Sequence, residues 1–166
     1  MHPEIPNEGM TIQDLFVGRR IDVPSVQKQL NNAAEQCGLP FNMGDMVYNS
    51  RAAQELGKWA ESVGRGEDFH NAVFRAYFVD RLNIAEAPVL IKIVESLGLN
   101  PAVAEETLTD GAFKIEVDED WAHSMESSIM GVPAFNAAGR IVVGAQPYEV
   151  LERLVKVAGA QRKDHL

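Results

Sequence analysis

A single stretch of this chain alternates like a pair of strands. Phe135 and Ala137 flank Asn136, Ile141 and Val143 keep a period of two, and Ala138-Gly139 lies between the runs as a turn. Nearly everything before it carries the period of a helix. A lone two-stranded hairpin is marginal in water, so this one must pack on helices or join further strands. No other segment offers a convincing strand. The pattern therefore implies a predominantly helical chain with a small β element near its C-terminal end.

The helical segments are punctuated by caps and glycines. Asp22 can cap a helix that ends at Gly38, with Pro24 in its first turn and Val26, Leu30, Ala33 and Cys37 on one face. Asn49 is a good cap for a second helix, whose apolar face is Ala53, Leu56, Ala60 and Val63, with Trp59 beside it and Gly64 as the stop. Asp68 to Asp80 is apolar nearly all round and reads as a buried central helix. Pro88 opens a helix through Leu97, and Asn100-Pro101 opens another that ends at Asp110-Gly111. Asp118 can cap a further helix, with Trp121 or Ala122, Met125 and Ile129 inward and Gly131 at its end. Pro147 opens the last one, with Leu151, Leu154, Val155 and Ala158 on one face. This divides the chain into an irregular connector (1–10), a helical domain (11–130), a C-terminal hairpin-and-helix part (131–160) and a frayed polar tail (161–166).

The chemistry is bounded by what the chain contains. Its 166 residues are 46% hydrophobic and 23% charged, enough apolar surface to exclude disorder as the main state. No apolar run approaches the ~20 residues a spanning helix needs. The net charge of −9 and the lack of a dense basic patch argue against nucleic-acid phosphate and anionic membrane surfaces as partners. Met1 to Pro6 does not have the basic-then-apolar form of a secretory signal, so the cytoplasm is the expected location. The one cysteine, Cys37, excludes an internal disulfide, a Cys-x-x-Cys pair or a multi-cysteine zinc site within the chain. It lies near a helix end on an apolar face and is expected to be a buried, structural thiol. His2, His70, His123 and His165 have no metal-motif spacing, and the acidic run Glu116 to Asp120 reads as a solvated helix start. No metal and no cofactor is expected. Ser124, Ser127 and Ser128 lack a nucleophile elbow. Trp59, Trp121 and Phe74 read as core.

Gly131-Val132-Pro133-Ala134-Phe135, the hairpin, and Gly144-Ala145-Gln146-Pro147 before a helix resemble the C-terminal half of a thioredoxin fold of the DsbA-like superfamily. Several other segments match its FrnE-type branch in order: His2-Pro3-Glu4-Ile5-Pro6 with Gly9-Met10, Gly38 to Asn42, Asn49-Ser50, and Phe69 to Phe78. The resemblance implies an α/β thioredoxin-like remnant, mostly α, in which a helical insertion is followed by a surviving hairpin and helix. It implies a thiol–disulfide oxidoreductase or isomerase lineage. The family's strand, Cys-x-x-Cys helix and second strand would precede the His2-Pro3 segment, upstream of Met1, so no catalytic residue is assigned within the chain and it is expected to be inactive as written. By the same resemblance Val132–Pro133 is a cis pair that presents backbone to an extended peptide or protein-thiol substrate. Two other readings stay open. One is a non-catalytic partner-binding module, self-associating through a strand edge or apolar faces. The other is the glutathione-dependent branch of kappa-class transferases and 2-hydroxychromene-2-carboxylate isomerases.

Overall fold

The computed structural model describes residues 4–129 and 131–161. His2, Pro3 and His165, and the tail beyond Gln161, lie outside the described residues. In chain order the elements are β1 (Met10–Thr11), α1 (Ile12–Leu15), α2 (Val23–Gln36), β2 (Met46–Val47), α3 (Arg51–Ser62), α4 (Gly66–Phe78), α5 (Ala87–Ser96), α6 (Pro101–Asp110), α7 (Lys114–Glu126), β3 (Ala134–Ala137), β4 (Arg140–Val143) and α8 (Tyr148–Val157). Two compact units divide inside α7, one ending at Val117 and the other starting at Asp118. The change of periodicity near residues 130/131 marks where helix gives way to hairpin, within the second unit.

The first unit is built on α3 to α6. α3 packs on α4 and α6, and α5 packs on α4 and α6. Leu56, Ala60, Phe69, Leu90, Val94 and Ala104 are fully removed from water at its centre, which makes apolar burial the main stabilising term. Asn49, expected as the cap of α3, stands one residue further out. Its Oδ1 still accepts the Arg51 N–H at 2.9 Å, and its Nδ2 donates to the Ile5 carbonyl at 2.8 Å. Asn100 caps α6 by accepting the Ala102 N–H at 3.0 Å. Gly111, with φ of 62°, closes that helix in the left-handed region glycine favours.

Several sequence expectations are corrected. The described part of the expected connector, residues 4–10, is not merely irregular: Ile5 is buried, and β1 pairs antiparallel with β2, Met10 opposite Val47 and Thr11 opposite Met46. Strands of two residues are too short for alternation to be read. The helix after Gly111 begins at Lys114, so Asp118 is interior to it rather than its cap; the chain restarts at once, with the Lys114 N–H donating to the Gly111 carbonyl at 3.1 Å. Met125 is exposed, and the helix ends at Glu126, short of the Gly131 stop expected, with Ser128 in the left-handed region at φ of 55°. α2 is capped by Asp22 as its spacing demands, but Val26 and Leu30 are exposed, and so is Cys37. Among the described residues no element packs along that face. Periodicity says which side of a helix is apolar, not whether something covers it. Phe74 is likewise 60% exposed, not core.

In the second unit β3 and β4 form the expected hairpin. Ala138 and Gly139 both have positive φ, 50° and 77°, as a tight two-residue turn between twisted strands requires. The register pairs Ala134 with Val143, Phe135 with Val142, Asn136 with Ile141 and Ala137 with Arg140. Phe135 and Ala137 thus share a face with Val142, opposite the face of Ile141 and Val143. α8 packs against both strands and buries Leu154.

Candidate functional site

Val132 and Pro133 sit just before β3 in the second unit, joined by a cis peptide bond. The Pro133 carbonyl accepts the Gly144 N–H at 2.8 Å, extending the hairpin ladder by one bond. Val132 is 88% exposed. Its peptide N–H and carbonyl have no hydrogen-bond partner among the described residues. A backbone donor and acceptor, beside an apolar side chain at the end of an open strand, can bind an extended chain by main-chain hydrogen bonds.

A second feature belongs to the first unit. A cavity of about 480 Å³ opens between α3 and α4, lined chiefly by the rings of Tyr48, Phe69, Phe74, Tyr77 and Phe78, with Ser50, Gln54, His70 and the two tyrosine hydroxyls as its polar groups. Phe74, Tyr77 and Phe78 follow one another at i, i+3 and i+4, the spacing that places side chains on one helix face. Tyr48 meets Tyr77 edge-on, with ring centroids 6.3 Å apart. The loop before β2 is tied to the end of α4 by the Asn42 N–H donating to the Phe78 carbonyl at 2.7 Å, and by the Arg81 guanidinium donating to the Asn42 side-chain oxygen.

The family model described as "DSBA-like thioredoxin domain" matches residues 2–156. The chain belongs to that family. The DSBA-like chain is 24% identical to YwbO of Bacillus subtilis (strain 168) over 133 residues, which covers 78% of this chain and 66%, just under two thirds, of YwbO. Its fold superposes on the crystal structure of a "probable DsbA oxidoreductase" from Streptomyces coelicolor with a TM-score of 0.81 and 22% identity, covering 99% of this chain and 74% of that one. It also superposes on a 2-hydroxychromene-2-carboxylate isomerase with a TM-score of 0.68 and 20% identity, covering 82% of this chain and 66% of the isomerase. The DsbA-like thioredoxin fold, mostly helical with a C-terminal hairpin and helix, is therefore the fold of this chain. No helix of the described residues is long and apolar enough to cross a membrane.

The DSBA-like chain holds no group of three or more His, Cys, Asp or Glu, among its described residues, arranged to bind a metal. His70 Nε2 lies 3.8 Å from the Glu61 carboxylate. Buried charge is paired: Glu55 accepts from Arg51 Nε at 2.6 Å. The cavity was not singled out as a site from sequence, although the i, i+3, i+4 aromatic spacing was there to read. In the sequence Phe74 and the helix that carries it read as core, and the vacant space beside them depends on which neighbours α4 has.

Burial, and secondarily the neighbouring Tyr48 phenol, push the Tyr77 phenol above its ordinary value. A group whose pKa is higher in the folded than in the unfolded chain contributes stability that is full below the unfolded value, near 10, and is lost as pH rises through the folded value. The chain has three tyrosines. In an alkaline titration followed by phenolate absorbance, Tyr77 is expected to ionise late, above the ordinary phenol value. Tyr77→Phe should remove the late component, and a wild-type curve with no late component would contradict the placement of Tyr77.

Proposed function

We propose that this chain is of the thiol–disulfide oxidoreductase class, on the FrnE-type branch of its family, and that it holds an extended peptide or protein-thiol substrate without completing disulfide exchange by itself. The observation that carries the reading is the exposed Val132 peptide beside β3, whose donor and acceptor have no partner among the described residues. Exchange needs an attacking thiolate and a second thiol to resolve the mixed disulfide. The sequence has one cysteine, and it lies at the exposed C-cap of α2. The proposed compartment is the cytoplasm, and the peptide partner's competitor for the strand edge is a second copy of the chain.

The test is reduction of insulin by dithiothreitol, followed by turbidity, with an amide-resolved titration of an unfolded, S-carboxymethylated polypeptide. The rate is expected to equal that of dithiothreitol alone, with or without Cys37→Ser. The polypeptide should shift the Val132 and Ala134 amides. Cysteine-dependent acceleration would overturn the inactive assignment, and silence at Val132 would remove the binding role.

The likeness to 2-hydroxychromene-2-carboxylate isomerase supports a second reading, membership of the glutathione-dependent branch. Calorimetry with glutathione separates the two, since saturable heat is expected only under the second.

A further inference from the structure

We propose that the cavity between α3 and α4, about 480 Å³ in volume, is a binding site for a small, flat, uncharged aromatic molecule carrying an oxygen acceptor. The size is that of ordinary small-molecule sites, roughly 300–1,000 Å³. The walls are aromatic, and rings prefer to meet edge-on or offset, geometries that a flat guest can complete. Phe74 is the outlier among them. It is 60% exposed on a helix whose Phe69 is fully buried, and it lines the cavity instead of the core. Its hydrophobic area is thus still available to whatever enters.

The polar groups specify the guest's other end. The hydroxyls of Tyr48 and Tyr77 have no hydrogen-bond partner among the described residues. Ser50 Oγ accepts from Gln54 Nε2 at 2.7 Å, which leaves its own proton to give. With Tyr77 protonated at neutral pH, these groups are donors, and they match an acceptor oxygen. Charge is disfavoured in either sign. No Lys, Arg, Asp or Glu lines the cavity, and its His70 already faces the Glu61 carboxylate at 3.8 Å, so a charged guest would be desolvated without a free countercharge. The Arg81 guanidinium nearby is engaged by Asn42 and Met43.

Two glycines hold the walls in place. A Cβ on Gly9 would lie 2.5 Å from a Tyr48 ring atom, and one on Gly57 would lie 2.9 Å from His70 Nε2. Each lets a cavity-lining ring come closer than any side chain would permit.

The probe is 2-acetylnaphthalene, a neutral aryl ketone, titrated into the full chain and followed by amide shifts. Saturable one-to-one binding is expected, with shifts centred on residues 48, 74 and 77. Phe74→Ala, on an exposed side chain, should keep the circular dichroism and weaken binding by roughly five- to tenfold. Tyr48→Phe with Tyr77→Phe should weaken the ketone but not naphthalene itself, and 2-naphthoate should bind more weakly than the ketone. Absence of saturation, or undiminished binding in Phe74→Ala, overturns the site. So does a sedimentation experiment showing a dimer that Phe74→Ala disperses, because the cavity would then be covered by a second copy.

Discussion

Phe69→Ala is expected to lower the stability of this protein by about 3–5 kcal/mol, the range for truncating a buried phenylalanine. Against a total of roughly 5–15 kcal/mol for a natural domain, that is enough to unfold a substantial fraction at body temperature. Phe69 lies in the first full turns of α4, anchored by its N–H donating to the Arg65 carbonyl at 3.1 Å. Its ring is completely buried in the cluster that includes Leu56, Ala60, Leu90 and Val94. The same ring is also a wall of the cavity. Removing it extends existing space, so the neighbours have little reason to collapse inward and the lost contacts are not recovered. Urea unfolding followed by circular dichroism checks this as a large fall in the midpoint. Phe74→Ala, five residues along the same helix but on an exposed side chain, should fall within about 1 kcal/mol of the parent. Equal losses from the two variants would mean that α4 does not face its neighbours as described.

Gly9→Ala is expected to cost roughly 2–5 kcal/mol, from a left-handed backbone penalty and an overpacking penalty acting together. Gly9 has φ of +84°, and an added Cβ would lie 2.5 Å from the Tyr48 ring and 2.8 Å from the Val47 carbonyl oxygen. The ring could move; the carbonyl is backbone of the two-residue strand that pairs with β1. The substitution must therefore either break that pairing or displace Tyr48 from the cavity. Both outcomes are readable in the same sample, as a lower thermal midpoint and as altered shifts at Tyr48 and Tyr77. A Gly9→Ala protein with the parent's stability and spectrum would show that the segment from Ile5 to Thr11 is not held against β2.

Much of the fold was legible because its signals are local. Asp22 and Asn100 cap helices through bonds to their own next turns, and Gly64, Gly98 and Gly111 stop helices with a backbone that other residues avoid. The hairpin was visible because strand alternation and an Ala-Gly turn recur within ten residues. The ordered motifs that resembled the DsbA-like family extended the same reading to the topology.

What stayed hidden depends on partners distant in the chain. The one-sided apolar stripes of α2 and α3 are both regular in sequence, yet α3 packs on α4 and α6 while Val26 and Leu30 of α2, and Cys37 at its C-cap, stay exposed. The β1–β2 pairing joins residues far apart through two residues each, too little for any pattern. By itself the sequence determined the helices, their ends, the hairpin and the absence of a second cysteine, because caps, periodicity and composition act over a few residues. Only the tertiary structure decided that Phe74 stands at a cavity instead of in the core, and that Val132 offers a peptide with no partner among the described residues. Both facts are about space left unfilled, and a sequence records the groups present but not the neighbours that fail to reach them.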